Sequence, residues 1–480
     1  MADAVQTRVS RADIHRLTSQ CLFIALVLGV PFGIATTPAV FRDGDTSWQV
    51  AAGEWILRHG SIPTTDPFSF TAAGHPWVAM EWLSEVVFAF AYALSGFAGL
   101  ATLVAAALIA VHAIIFFHLE KRVPIAMLAA TLVMMDFVLA PFVLARPHVL
   151  GWVLLAGWTL LLLSAAEKGR PPPLWSTLML VAWTNMHASF PLAIVILGAI
   201  GLDSLNAARW TTLREWTLFG IASLVAISLN ANGLDGLLQP FRTSSLAMLP
   251  LIGEWHRSNP HATPFFFAAL TILVGVLVWK RPRIPLGRFC LLVLLLAMAL
   301  AHVRHQSSLA IVAACVLPPL LRPRESHEGV PRWLLLCAVP MLAVLAFSPF
   351  ALPDSEANPR HLVAAVPVEL RRLPVFNTYI FGGPLILAGV RPYIDGRAEI
   401  YGDAFVSDYV NISNGDLVAF NRAVQHHDIR WTIISRQQER LIDAIESTGV
   451  WHRVYSDSVG VIDVRTTVSR SKTQTVKPLE

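Results

Sequence analysis

The chain has 480 residues, of which 55% are hydrophobic and only 14% charged, with a net charge of +4. Soluble domains carry about 25% charged residues, so a protein with an all-aqueous surface is excluded. The surplus of positive charge sits in short loops between apolar runs. That pattern orients helices in a bilayer and argues against nucleic-acid binding, for which no basic stripe or RNA-binding motif is present.

In chain order, Arg8, Arg11 and Arg16 precede an apolar run from Leu17 to Thr37. No A-x-A cleavage pattern follows it, so it reads as a first transmembrane helix rather than a signal peptide. Runs such as Leu100–Phe117, Leu286–Ala301 and Trp333–Leu352 are long enough for a hydrocarbon core about 30 Å thick. The full reading places spans over 18–37, 97–118, 123–142, 149–166, 174–190, 191–207, 213–231, 264–280, 286–302, 305–321 and 332–352, with Pro191 separating the fifth from the sixth. The expected fold is an α-helical polytopic membrane bundle of about eleven helices. With the N-terminus inside, the inner loops collect Lys121, Arg122, Lys168, Arg170, Lys280, Arg281, Arg283, Arg288, Arg322 and Arg324, while the outer loops hold few basic residues. An odd number of spans then puts the C-terminal part outside.

The organisation that follows is a cytoplasmic tail (1–17), a bundle (18–353) with a long first outer loop (38–96), a small soluble α/β domain (354–466) and a disordered polar tail (467–480). In the soluble part, strands are expected at Tyr379–Ile386, Pro392–Ile394, Trp431–Ile434 and Val459–Val464, and helices at Leu417–His427 and Gln437–Thr448. The alternation suggests a partly parallel sheet. Asp395-Gly396-Arg397-Ala398-Glu399 reads as a structural turn with a surface ion pair, or as a loop site after a strand. Cys21, Cys290, Cys315 and Cys337 all lie in apolar runs, so neither a disulfide framework nor a zinc site is expected.

Polar residues collect on the predicted outer face. Asp43 and Asp45 stand just past the first span. Asp45 opens a helical pattern with Trp48, Ala51, Ala52, Trp55 and Ile56 on one face, suited to lying in the membrane interface. Glu81 and Glu85, at i,i+4 in Trp77–Leu94, share a helix face. Arg146 and His148, Asn185 and His187, Asn230 and Asn232, Glu254 and His256, and Arg304 and His305 fall at other outer ends. Ionisable groups at membrane depth usually face a bundle interior or a wet cavity. Such a set suits sugar transfer from an anionic lipid phosphate. A carboxylate takes the acceptor proton, and Arg146 and Arg304 grip the phosphate. Each residue also has a plain structural reading: Asp45 as a helix cap, Asp43 as a loop residue, the glutamates as a solvated face, the arginines as snorkelling side chains, Asn185 and His187 as a satisfied pair, and Asn230 and Asn232 as helix-ending residues. No cofactor is expected, a divalent metal is left open, and no nucleotide-binding fingerprint is present.

The run Asp45–Gly53 with Glu54–Gly60 resembles the first-loop signature of GT-C membrane glycosyltransferases, which include protein mannosyltransferases and lipid A aminoarabinose transferases. The resemblance implies that Asp45 is the catalytic base, that the donor is a polyprenyl-phosphate sugar and that the acceptor is an envelope lipid, glycan or protein. Asp45 is followed by Thr46, which departs from the acidic pair of the mannosyltransferases. Ile62–Thr71, Glu81–Ser84 and Asp395–Gly402 are similar to segments of a group of bacterial polytopic membrane proteins. The expected function is therefore a glycosyltransferase on the periplasmic face of a bacterial inner membrane. The alternatives are a lipid or glycan transporter and a non-enzymatic envelope scaffold. A transporter would show internal repeats or matched broken helices, and no repeat is evident.

Overall fold

The computed structural model describes residues 11–205, 210–249, 253–321 and 329–466. Two compact units divide the chain: Met1–Thr65 with His75–Pro353, and Asp66–Gly74 with Asp354–Glu480. The expected tail 467–480 lies outside the described residues, as do Arg8, Arg322 and Arg324.

In the first unit, helix covers all or most of each of the eleven expected spans. Among the described residues, four helices are long and apolar enough to cross a membrane by themselves: Arg16–Ala35, Phe97–Leu119, Ile125–Phe142 and His148–Glu167. Thr212–Ser228 and Gly233–Ser244 form a pair bent by 90°, and Trp82–Ser95, Pro191–Ser204, Pro264–Lys280, Leu286–Ala301 and Arg332–Phe347 are shorter apolar helices. Length and composition thus support four or five crossings, against the eleven expected. The short helices end where the sequence interrupts them: helix Leu178–Met186 stops at an extended His187, and the next helix starts at Pro191, whose missing N–H costs nothing at a helix start. Large apolar side chains stay exposed in rows at helical spacing, for example Leu218, Ile221 and Val225, or Val274 and Val278. So much exposed apolar surface marks a face meant for lipid, and the chain is a membrane protein.

The helix Asp45–His59 differs from its expected role. Thr46, Ser47, Gln49, Val50 and Gly53 are buried along with Trp48, Ala51, Ala52 and Ile56, so its first turns are enclosed by protein rather than lying flat on a membrane. Gly53 explains the packing, since a Cβ there would stand 1.9 Å from the Glu85 carbonyl oxygen on helix Trp82–Ser95. The helix ends at Gly60 in the left-handed conformation (φ 63°), which glycine adopts without a Cβ penalty.

The second unit holds a four-stranded sheet: β1 (Val375–Asn377), β2 (Trp431–Ser435), β3 (Trp451–Ser456) and β4 (Gly460–Arg465), in the order β1-β2-β4-β3. β1 and β2 are parallel and the other pairs antiparallel. Leu362, Val375, Phe381, Leu385, Trp431, Ile433 and Ile462 form the core, with Phe70 packed against it. Two expected strands are corrected. Tyr379–Ile386 is helical, a 3-10 turn leading into helix Gly382–Leu387; Pro384 has no N–H for a ladder, and a Cβ on Gly382 would lie 2.4 Å from the Ile394 carbonyl. Pro392–Ile394 is not a strand because the Asn377 side chain does the pairing: it donates to Ile394 O (2.8 Å) and accepts from Tyr393 N (2.7 Å).

The Asp395–Glu399 turn is also not on the surface. Asp395 and Arg397 are 0% and 1% exposed. Arg397 grips Asp395 through Nε (2.9 Å) and Nη2 (2.7 Å) and Asp66 through Nη1 (2.7 Å). Tyr401 Oη donates to Asp395 at 2.6 Å, and the guanidinium lies over the Phe68 ring. The segment Asp66–Gly74, from the first loop, is thereby a built-in part of this unit, and Phe70 N also donates to Pro392 O (3.3 Å) and Thr71 Oγ1 to Tyr393 O (2.6 Å).

Candidate active site

The polar residues of the first unit meet through backbone contacts that the loops themselves supply. After helix Arg16–Ala35 the chain makes a 3-10 turn, Pro38–Phe41. Val40 O then accepts from Ala145 N (2.8 Å), and Thr46 Oγ1 donates to Ala145 O (2.9 Å). These two bonds pin the turn before Pro147 against the first loop and set Arg146 beside Asp43 and Asp45. Asp43 Oδ1 accepts from Asp45 N at 2.9 Å. Asp45 is the first residue of its helix and Gly44 is the cap position, so the side chain that accepts from the helix's first N–H is that of Asp43 and not of Asp45. The cap reading of Asp45 therefore fails, which leaves its carboxylate for other work.

Arg146 reaches Asp43 Oδ2 through Nη1 (2.9 Å), Asp45 Oδ2 through Nη2 (3.0 Å) and Glu254 Oε2 through Nη1 (3.7 Å). The side chains are 24%, 17% and 36% exposed for the three acids and 21% for Arg146, so the cluster is sheltered but open to water. Glu254 lies in the 3-10 turn Gly253–Trp255. That turn is tied down by Trp255 O to His302 Nδ1 (2.8 Å) and His256 O to Val303 N (3.0 Å). Arg304 stacks over the Trp255 ring at 4.6 Å and approaches Glu254 Oε1 at 4.0 Å. His305 follows, its ring 6.1 Å from that of His302.

The electrostatics separate the acids. Burial, then the neighbouring charge of Asp43, push the Asp45 carboxyl up to about 7, against the pull of Arg146. Burial also acts to raise Glu254, but Arg146 and Arg304 outweigh it and hold it below the usual carboxylate range. Burial acts to lower Arg146, but Asp43, Glu254 and Asp45 raise it well above its ordinary value, with a further contribution from Glu81.

A second group adjoins the first. His187 Nε2 is 3.6 Å from Glu81 Oε1, its Nδ1 is 2.7 Å from Ser189 Oγ, and its ring is 6.4 Å from that of His148. His148 Nε2 bonds to Phe142 O at 2.7 Å, which fixes the proton on that nitrogen. Two expected site residues do not join. Asn185 accepts from Trp82 Nε1 (2.7 Å) and Ala231 N (3.0 Å) and donates to Val181 O (2.8 Å) and Leu229 O (3.0 Å); all four of its hydrogen-bonding positions are used, so it is a structural tie. Glu85 is 1% exposed at the contact with the Asp45 helix, whereas the Glu81 side chain is 21% exposed, so the two do not form a shared solvated face. Asn230 and Asn232 hold the corner after Ser228, and Asn232 also donates to Ala79 O (3.2 Å). Glu254, weakly marked in the sequence, is central. Its signal was its place in an outer loop beside Trp255 and His256. Among the described residues no group of three or more His, Cys, Asp or Glu side chains is arranged to hold a metal ion.

The fold of the chain is similar to that of solved oligosaccharyltransferase structures. Three solved structures it resembles are of the Archaeoglobus fulgidus oligosaccharyltransferase. The apo form matches at a TM-score of 0.51 and 10% identity, over 95% of this chain and 74% of that one. The form tethered by a disulfide to an acceptor peptide containing the NVT sequon matches at 0.52 and 10%, over 92% and 74%. The complex of this enzyme, AglB, with an inhibitory peptide and a dolichol-phosphate matches at 0.51 and 9%, over 96% and 75%. No family model and no curated protein matches the chain in sequence.

Proposed function

We propose that the chain is a GT-C-type glycosyltransferase that moves a sugar from a polyprenyl-phosphate donor to an envelope acceptor on the outer face of a bacterial-type inner membrane. In this reading the bundle crosses the membrane about eleven times, with its N-terminus inside and residues 354–466 outside. The observation that carries the proposal is the half-sheltered Asp45 carboxylate, held by Arg146 beside Asp43 and Glu254 and pushed up to about 7. A base poised near neutrality is what proton removal from a hydroxyl calls for.

The acceptor hydroxyl attacks the anomeric carbon, its proton passes to Asp45, and the sugar–phosphate C–O bond breaks with its electron pair going to the lipid phosphate. Arg304, with a loose 4.0 Å contact to Glu254, stabilises the charge on that leaving group. His305, His148 and His187 line the approach, Glu81 orients His187, and Asp43 and Arg146 hold Asp45. The dolichol-phosphate in one structural neighbour supports a lipid-linked donor, and the acceptor peptide in another favours a protein among the possible acceptors.

The test compares lipid-linked sugars and envelope glycans by mass spectrometry in a deletion strain, the same strain carrying wild type, and the same strain carrying Asp45→Asn at matched abundance. A glycan lacking one sugar, or an accumulated sugar-lipid, in both the deletion and the Asn strain supports the reading. Wild-type glycans in the Asn strain remove Asp45 from the mechanism. Unchanged glycans in the deletion strain return the question to transport or scaffolding.

A further inference from the structure

We infer that Arg146 is a built-in cation that fills the place a divalent ion would take among Asp43, Asp45 and Glu254, so that the site binds no divalent metal. Three carboxylates from two remote loops converge on one centre. Like charges this close are not left ionised without a cation between them, and with the guanidinium in place these acids are not arranged to hold a metal ion. The centre here is a guanidinium, with both terminal nitrogens engaged at 2.9, 3.0 and 3.7 Å. It is not a side chain free to swing aside. The residue before it is bonded on both sides, Ala145 N to Val40 O and Ala145 O from Thr46, and the Arg146 side chain is 21% exposed. An incoming metal would need the oxygens the guanidinium already holds and would be repelled by a fixed positive charge within a few ångströms. Together with the reading of Asp45 as a base, on which this further step rests, sugar transfer then proceeds without a divalent ion. Arg146 acts as a positioning residue through Asp43 and Asp45.

The experiment titrates Mn2+ into the purified full-length protein in detergent, followed by the Mn2+ electron paramagnetic resonance signal. The proteins are wild type, Arg146→Gln, Arg146→Ala and Arg146→Lys, each first checked for a monodisperse peak. Wild type and Arg146→Lys should bind no ion in the millimolar range. Arg146→Gln, or Arg146→Ala where that folds, should bind one, with a Kd on the order of 10⁻⁴ M, lost again on adding Asp45→Asn. Stoichiometric Mn2+ on wild type that Asp45→Asn or Glu254→Gln removes would overturn the inference. So would a folded Arg146→Gln protein that binds none. The readout is independent of activity, so it stands even if no glycan changes in the strains described above. Where transfer is found, chelator should leave the wild-type rate unchanged, and chelator-sensitive transfer overturns the inference.

Discussion

Two arginines in this molecule each sit among carboxylates, and they do opposite things. Arg397 shares its guanidinium between Asp395 and Asp66 in a fully enclosed cluster. Burial acts to raise the Asp395 carboxyl, but Arg397 and Tyr401 outweigh it and hold it below the usual range. Arg146 faces three acids that remain partly open to water, and burial with Asp43 pushes Asp45 up to about 7. The first arrangement is satisfied and therefore inert. Both hold more carboxylates than guanidinium charge, but the second has three acids on one cation and stays partly open to water, which leaves one carboxylate able to exchange a proton near neutral pH. A buried cluster with its hydrogen bonds made maintains structure, whereas acids that stay partly open to water can exchange protons.

The comparison breaks most visibly on Arg397→Ala. Two buried carboxylates would lose their cation, destabilising the second unit by about 3–5 kcal/mol; abundance and limited proteolysis should show it unfolded, and a protein of normal protease resistance would refute the closed-cluster account. Asp45→Asn should lower the transfer rate about 10²–10⁴-fold while sparing the fold. Its sign for stability is the informative part. The folded carboxyl titrates above the ordinary carboxyl value of 3.8, so its contribution to stability is full below that value and lost as pH rises through about 7. At pH 8 the Asn protein should therefore melt no lower than wild type. Asp395→Asn makes the same chemical change with the opposite result. A carboxyl held low contributes stability above its unfolded value that is lost only as pH falls through the folded one, so the Asn protein should be less stable at neutral pH by about 1–3 kcal/mol, read from its thermal midpoint. The smallest effect sharpens the comparison. Transfer should fall about tenfold per pH unit below about 7, and Asp43→Asn should move that acid limb to lower pH, because it removes a charge that raises Asp45 while an amide oxygen can still accept from the Asp45 N–H.

Helical segments were legible because a run without charges declares itself by length alone. Length alone does not carry their number of crossings, since several helices are cut short by Pro or polar breaks such as His187–Pro191. The gathering of Asp43, Asp45, Arg146 and Arg304 on one face followed from counting loops, but their pairing did not. Arg146 stands 103 residues from Asp43, and no local spacing links them. Glu254 lay further still along the chain. Gly53 was the available sign that the Asp45 helix is enclosed, because a glycine inside a helix often marks a close neighbour. In the second unit, β3 went unread even though its burial alternates, and β1 has only three residues. The Asp395 turn was misplaced because acid and base two residues apart resemble any surface loop. The apolar Ile394 and Ala398 on either side were the clue to its burial.

The Arg397–Asp66 bond joins residues 331 positions apart, and that span has a meaning in time. A ribosome adds roughly 5–20 residues per second, so Asp66 is made on the order of half a minute before its cation exists. Through that interval Phe70 has no core to enter, since the core it packs against contains Trp431 and Ile462, and Phe68 lacks the guanidinium that lies over its ring. The second unit can close only after β4 (Gly460–Arg465) has been synthesised. A nascent chain that has not yet reached Arg397 leaves Asp66 without the cation that completes its cluster.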